Sequence, residues 1–140
     1  MEIVKAISDE EIFSCYNLLL KLRPSLNIHT FVEDIRRMSK ESYQLACIKD
    51  SKIKAVIGYR SLEMFVTRKI LYVDDLVTDE QCRSMGHGKK LLQWLCNEAK
   101  ALGCSYIELD SDNSGVETHR FYKINGFESV AQHFSYAVEK

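Results

Sequence analysis

From Ser42 to Thr78 the chain changes its hydrophobic period, and that change limits the folds open to it. Tyr43–Ile48, Ala55–Val66 and Ile70–Thr78 are rich in β-branched and aromatic residues, with only short polar turns at Lys49–Lys52 and Thr67–Lys69 between them. Turns this short cannot carry a parallel crossover, so the three segments predict an antiparallel meander. On either side the period is helical. Ser8-Asp9-Glu10-Glu11 has the pattern of a capping box, Ile12, Tyr16, Leu19 and Leu20 follow at helical spacing, and Pro24 marks the stop. Thr30 and Glu33 have the same pattern beside Val32, Ile35 and Met38. After Gly88, the residues Leu91, Leu92, Leu95, Cys96, Ala99 and Leu102 share a face that ends at Gly103. Glu2–Ile7 and Cys104–Leu109 predict further strands, Glu117–Ile124 a short helix, and Phe127–Val138 a closing strand. The predicted order is β-α-α-β-β-β-α-β-α-β. This is an α/β (α+β) fold: a mixed, mostly antiparallel sheet of about six strands with helices on both faces.

The 140 residues contain no linker, repeat or low-complexity stretch, so one domain spanning 1–140 is expected. A net charge of −1 supplies no long-range field to gather nucleic acid or an anionic membrane. No apolar run approaches the roughly 20 residues that a bilayer span needs. The first residues lack a signal-peptide pattern, so a cytoplasmic location is expected, with no nucleic-acid or membrane partner. The five cysteines are odd in number and lack a C-x-x-C pair, and neither Cys nor His clusters, so no metal is expected. Cys47 and Cys96 read as small core residues, and Cys82 as a packing residue bordering the loop described next.

That loop, Arg83-Ser84-Met85-Gly86-His87-Gly88-Lys89-Lys90, joins a strong strand to a strong helix. A helix N-terminus presents unpaired N–H groups and about half a positive charge, which suits an anion. Gly86 and Gly88 clear side chains from the approach to the main chain, and Arg83, Lys89 and Lys90 add positive charge. The pattern is neither a P-loop nor G-x-G-x-x-G, and by itself two glycines before a helix also describe an ordinary turn.

Three matched segments in order add to this reading. Arg83-x-x-Gly86-x-Gly88 resembles the R/Q-x-x-G-x-G/A motif of the GNAT superfamily, the acyl-CoA-dependent N-acyltransferases. Asp74–Glu80 is similar to that family's fourth strand and following turn, and His119–Phe127 to its F-Y-x-x-x-G-F segment. The resemblance implies an acetyltransferase that moves the acetyl group of acetyl-CoA to a primary amine by direct attack in a ternary complex. It implies that the main chain of Leu76, Val77 and Thr78 pairs with the pantetheine arm. The backbone from Arg83 through Ser84, Met85, Gly86, His87 and Gly88 to Lys89 would hold the pyrophosphate. Tyr122 would protonate or stabilise the departing thiolate. Many relatives carry an asparagine at the position of Gly115; here the nearest is Asn113, which either reaches the same contact from a shifted loop or leaves it unmade. Asp74 and Asp75 are the candidates for accepting the amine's proton, and strand alternation predicts that one of the two points into the cleft. Arg23, Asn27, Tyr59 and His133 are unranked candidates for the acceptor pocket. A non-catalytic acyl-CoA-binding regulatory module of the same fold is the alternative, and the resemblance leaves a homodimer open.

Overall fold

The amino-terminal strand, β1 (Glu2–Lys5), is followed by three short helices, α1 (Asp9–Ser14), α2 (Tyr16–Leu22) and α3 (Phe31–Ser39), in the computed structural model, which describes residues 1–83 and 85–139. The meander comes next as β2 (Gln44–Lys49), β3 (Ile53–Met64) and β4 (Arg68–Thr78). A 3-10 turn (Glu80–Cys82) leads to α4 (His87–Ala101), β5 (Tyr106–Leu109) and α5 (Val116–Ile124). The chain divides into two units, Met1–Leu109 and Asp110–Lys140, each described by itself.

In the first unit the sheet runs β1-β2-β3-β4-β5, antiparallel until β5, which lies parallel to β4. Leu45 to Ile48 are all buried irrespective of parity, so both faces of β2 are covered. Leu45 and Cys47 pack with Ile12, Tyr16, Leu19, Phe31 and Ile35 from α1–α3. Ala46 and Ile48 point the other way, and α4, which contacts β2, β3, β4 and β5, covers that side with Leu91 and Leu95.

Local chemistry explains the departures from expectation. The helix predicted from Ser8 is divided at Cys15. Its capping box forms, with Ser8 Oγ accepting from the Glu11 N–H and Glu11 accepting from the Ser8 N–H. However, the Glu11 carbonyl takes the Ser14 hydroxyl at 2.5 Å and the Cys15 thiol at 3.7 Å, while the Cys15 N–H turns to Ile12. Such back-bonding bends helices. The second predicted capping box does not form, because the Thr30 hydroxyl donates to the Asp34 carboxylate. Cys96 is exposed, not a core residue. It lies about 100° around the helix from Leu95, on the flank of the buried stripe.

In the second unit α5 is followed by no strand among the described residues, so the sheet has five strands instead of about six. A strand exists only through a neighbour to pair with. Within Asp110–Lys140 the segment predicted as Phe127–Val138 has none.

One irregularity positions the site. Gly58 pairs with Asp75 and Tyr59 with Val73, which leaves Asp74 as an extra residue, a β-bulge in β4. At Gly58 the chain tolerates no side chain, since a Cβ there would collide with the Tyr43 hydroxyl and press on the Asp75 carboxylate. Gly58→Ala is therefore expected to lower stability by about 1–3 kcal/mol, the usual cost of overpacking, as read by urea unfolding.

Candidate active site at the bulged strand

β5 pairs with β4 only over Ile70–Val73, and β3 holds β4 through to Thr78. Within the first unit, Asp74 to Thr78 therefore have no strand neighbour on the β5 side. The alternate N–H and C=O groups that do not face β3 are turned to that side. Leu76, Val77 and Thr78 lie on this stretch, opposite Ile57, Val56 and Ala55.

The chain then passes through the 3-10 turn, where Asp79 caps by accepting from the Gln81 N–H. Arg83 and Met85 are exposed, and Ser84 lies outside the described residues. Gly86 adopts φ 80°, a left-handed conformation that favours glycine, and serves as N-cap of α4 without any side-chain cap. Among the described residues, and apart from its immediate chain neighbours and its own helix, nothing lies within 4 Å of where its Cβ would be. The first helical bond runs from the Lys90 N–H to the Gly86 carbonyl, so the amides just before Lys90 are left over by the helix itself. The room at Gly86 and these amides suit a phosphate group. Lys89 is exposed and Gly88 buried. His87 is 3% exposed and neither ring nitrogen has a hydrogen-bond partner among the described residues, so the imidazole points inward and His87 offers an anion only its main chain.

The two acids belong to a single network. Asp75 Oδ2 accepts from the Tyr43 hydroxyl at 2.7 Å, and Oδ1 accepts from Arg23 Nε at 2.9 Å. Arg23 Nη2 donates to the Asp74 carbonyl at 2.9 Å. Arg60 grips Asp74, with Nη2 donating to Oδ2 at 2.7 Å and Nε lying 3.1 Å from both oxygens. Its guanidinium also sits 5.3 Å from the centre of the Tyr43 ring. The bulge at Asp74 interrupts the strand alternation from which one of the two acids was expected to point into the cleft. Burial first, and then the Asp75 carboxylate, push the Tyr43 phenol well above its ordinary value; the hydrogen bond to Asp74 raises the Arg60 guanidinium. Tyr59 is also raised by burial, and its hydroxyl donates to Gln44.

Sequence reasoning missed Tyr43, Gly58 and Arg60. A glycine inside a strand pattern often marks a close backbone approach, and Gly58 was that signal. Of the other acceptor-pocket candidates, Asn27 caps its own turn by accepting from the His29 N–H, whereas Arg23 joins the network.

In the second unit Asn113 sits exposed in a turn, where Asp112 accepts from the Ser114 N–H. Tyr122 lies on α5 between Phe121 and Phe127, edge-on to both, and burial raises its phenol above the ordinary value. His133 Nδ1 is 3.3 Å from an Asp110 oxygen. No group of metal-ligating side chains occurs among the described residues, and no helix there is long and apolar enough to cross a membrane.

The raised tyrosines set an alkaline limit. Their contribution is fully present below the unfolded-chain value of 10.0 and is lost as pH rises above it, because the unfolded chain releases phenolic protons that the folded one keeps. Tyr43→Phe should cost about 1–3 kcal/mol at neutral pH, by leaving an Asp75 lone pair unmet. It should also flatten the fall in stability between about pH 9 and about pH 11, measured by urea unfolding.

Comparison with known proteins shows the family. Residues 11–127 match the model of the acetyltransferase (GNAT) family. An uncharacterized N-acetyltransferase of Bacillus subtilis (strain 168), YhdJ, is 33% identical over 117 residues, 82% of each chain. The crystal structure of an acetyltransferase from Trypanosoma brucei superposes with a TM-score of 0.79 at 21% identity, over 98% of this chain and 99% of that one. The glucosamine-6-phosphate N-acetyltransferase of Arabidopsis thaliana gives 0.77 at 23%, over 99% and 98%. An aminoglycoside antibiotic 6'-N-acetyltransferase from Acinetobacter baumannii gives 0.84 at 14%, over 99% and 98%. The chain belongs to the GNAT family of acetyltransferases.

Proposed function

We propose that the chain is a cytoplasmic, single-domain N-acetyltransferase that uses acetyl-CoA and a primary amine in a ternary complex. The observation that carries this reading is the strand-free side of β4 at Asp74–Thr78, running toward the open, left-handed Gly86 at the head of α4. The name of the Bacillus relative agrees with an amine acceptor. Five cysteines without a disulfide fit a reducing compartment.

Acetyl-CoA supplies the activated thioester. The main chain of Leu76–Thr78 holds its peptide-like arm, and the amides between Arg83 and Lys89, with the charges of Arg83 and Lys89, hold the pyrophosphate. Asn113 takes the part of the family's asparagine and contacts the arm. The amine nitrogen forms a bond to the carbonyl carbon as the carbon–sulfur bond breaks. The amine's proton passes through water to Asp75, whose two oxygens each hold one donor and keep a lone pair to spare. Asp74, gripped by Arg60, keeps the bulge in shape and does not act as a base. Tyr122, protonated at neutral pH as an ordinary phenol is, gives a proton to the departing sulfur.

Calorimetric titration with acetyl-CoA should show binding that Gly86→Glu abolishes. Tyr122→Phe should cut kcat about 100-fold or more, the usual share of a general acid, with acetyl-CoA affinity little changed. An unchanged kcat removes Tyr122 from the mechanism. Absence of acetyl-CoA binding by the folded protein sinks the reading. Tight binding with no transfer to any of a broad set of amines supports a regulatory acyl-CoA-binding module instead.

A further inference from the structure

We infer that the acceptor amine carries an oxyanion, a carboxylate or a phosphate, and that Arg23 binds it. The inference rests on the acetyltransferase reading and goes on to name the class of acceptor.

The two acids on β4 invite the opposite conclusion, a polycationic acceptor drawn to negative charge. The network argues against this by what it leaves exposed. Asp74 and Asp75 are 21% and 13% exposed at the side chain, and Arg60, which saturates Asp74, is 19% exposed. Arg23 alone reaches out, at 52%. Two arginines balance two aspartates, so the network has no net negative charge to offer a second cation. A guanidinium has five N–H donors and no acceptor. Arg23 spends Nε–H on Asp75 and one Nη2–H on the Asp74 carbonyl. Nη1 makes no hydrogen bond among the described residues, so the Nη1–Nη2 edge of the fork remains open. This edge matches the spacing of two oxygens on a carboxylate or phosphate.

Arg23 is also well placed to keep its aim. It is the C-cap of α2, with φ −125° and ψ 83°, and its N–H bonds to the Leu19 carbonyl. Two further hydrogen bonds tie its head to β4, so little rotamer freedom remains to be lost on binding. The same residue orients Asp75, the proposed proton acceptor. An anion on the Arg23 fork would therefore set the distance between the acceptor's amine and Asp75, which makes Arg23 a specificity-determining residue.

The test uses the whole protein with acetyl-CoA and matched amines: glucosamine 6-phosphate against glucosamine, serine against serinamide, and spermidine as a polycation. At least one anionic member should exceed its neutral partner in kcat/KM by about 10- to 100-fold, the share of one charge-assisted hydrogen bond. Which pair shows the preference distinguishes phosphate from carboxylate. Arg23→Gln should erase the ratio and Arg23→Lys should keep part of it, while acetyl-CoA affinity stays the same in both. A preference for spermidine or for the neutral amines overturns the inference, as does a ratio that survives Arg23→Gln. If acetyl-CoA binds but no probe is acetylated, calorimetry of that complex with inorganic phosphate and with acetate decides. Heat from either that is lost in Arg23→Gln supports an anion subsite, and no such heat overturns it. Failure to bind acetyl-CoA overturns the acetyltransferase reading and this inference together, whereas transfer without regard to charge overturns this inference alone.

Discussion

The Asp75 carboxylate joins three parts of the chain that are remote in sequence: the end of α2 through Arg23, the approach to β2 through Tyr43, and the bulge of β4. A bulge alone would leave the Asp74 carbonyl and two acidic side chains short of partners, at a cost of about 1–3 kcal/mol for each unmet group. Arg23 and Arg60 meet all of them. The network therefore allows β4 to depart from regular pairing at Asp74 without loss of satisfied polar groups. It also explains why Gly58 carries no side chain, since the Tyr43 hydroxyl occupies that space.

Elements whose cause is local were legible in the sequence. The meander follows from period and turn length, the Ser8–Glu11 box from adjacent residues, and the glycine loop from its own dihedral needs. The bulge, the Tyr43–Asp75 bond and the Arg60–Asp74 pair were not, because they join positions 14 to 32 residues apart that only the folded sheet brings together. The same reasoning accounts for Cys15. The competition for the Glu11 carbonyl is a matter of side-chain geometry, and helical periodicity is blind to it. The last predicted strand shows a further limit. The alternation in Phe127–Val138 describes a surface suited to pairing but does not name the partner.

On the proposed reading, the site has two halves built from different materials. The donor side depends on strand and loop backbone at Leu76–Thr78 and Arg83–Lys89. The acceptor side depends on side chains, with Arg23, Tyr43 and Arg60 surrounding the two acids. Fold neighbours at 14–23% identity carry names with different acceptors, a phosphorylated sugar amine in one and an aminoglycoside in another. A side-chain pocket can be rewritten residue by residue while the backbone stays the same.

The open side of β4 has a consequence for how such a chain can change over time. Its N–H and C=O groups belong to the peptide unit, so replacing Leu76, Val77 or Thr78 leaves the hydrogen-bonding pattern intact. Proline is the exception, because it lacks the N–H. On the proposed reading, mutational drift at these three positions is filtered for packing and against proline, and for little else. An ancestral function written in peptide groups can outlast nearly all of the sequence that first encoded it.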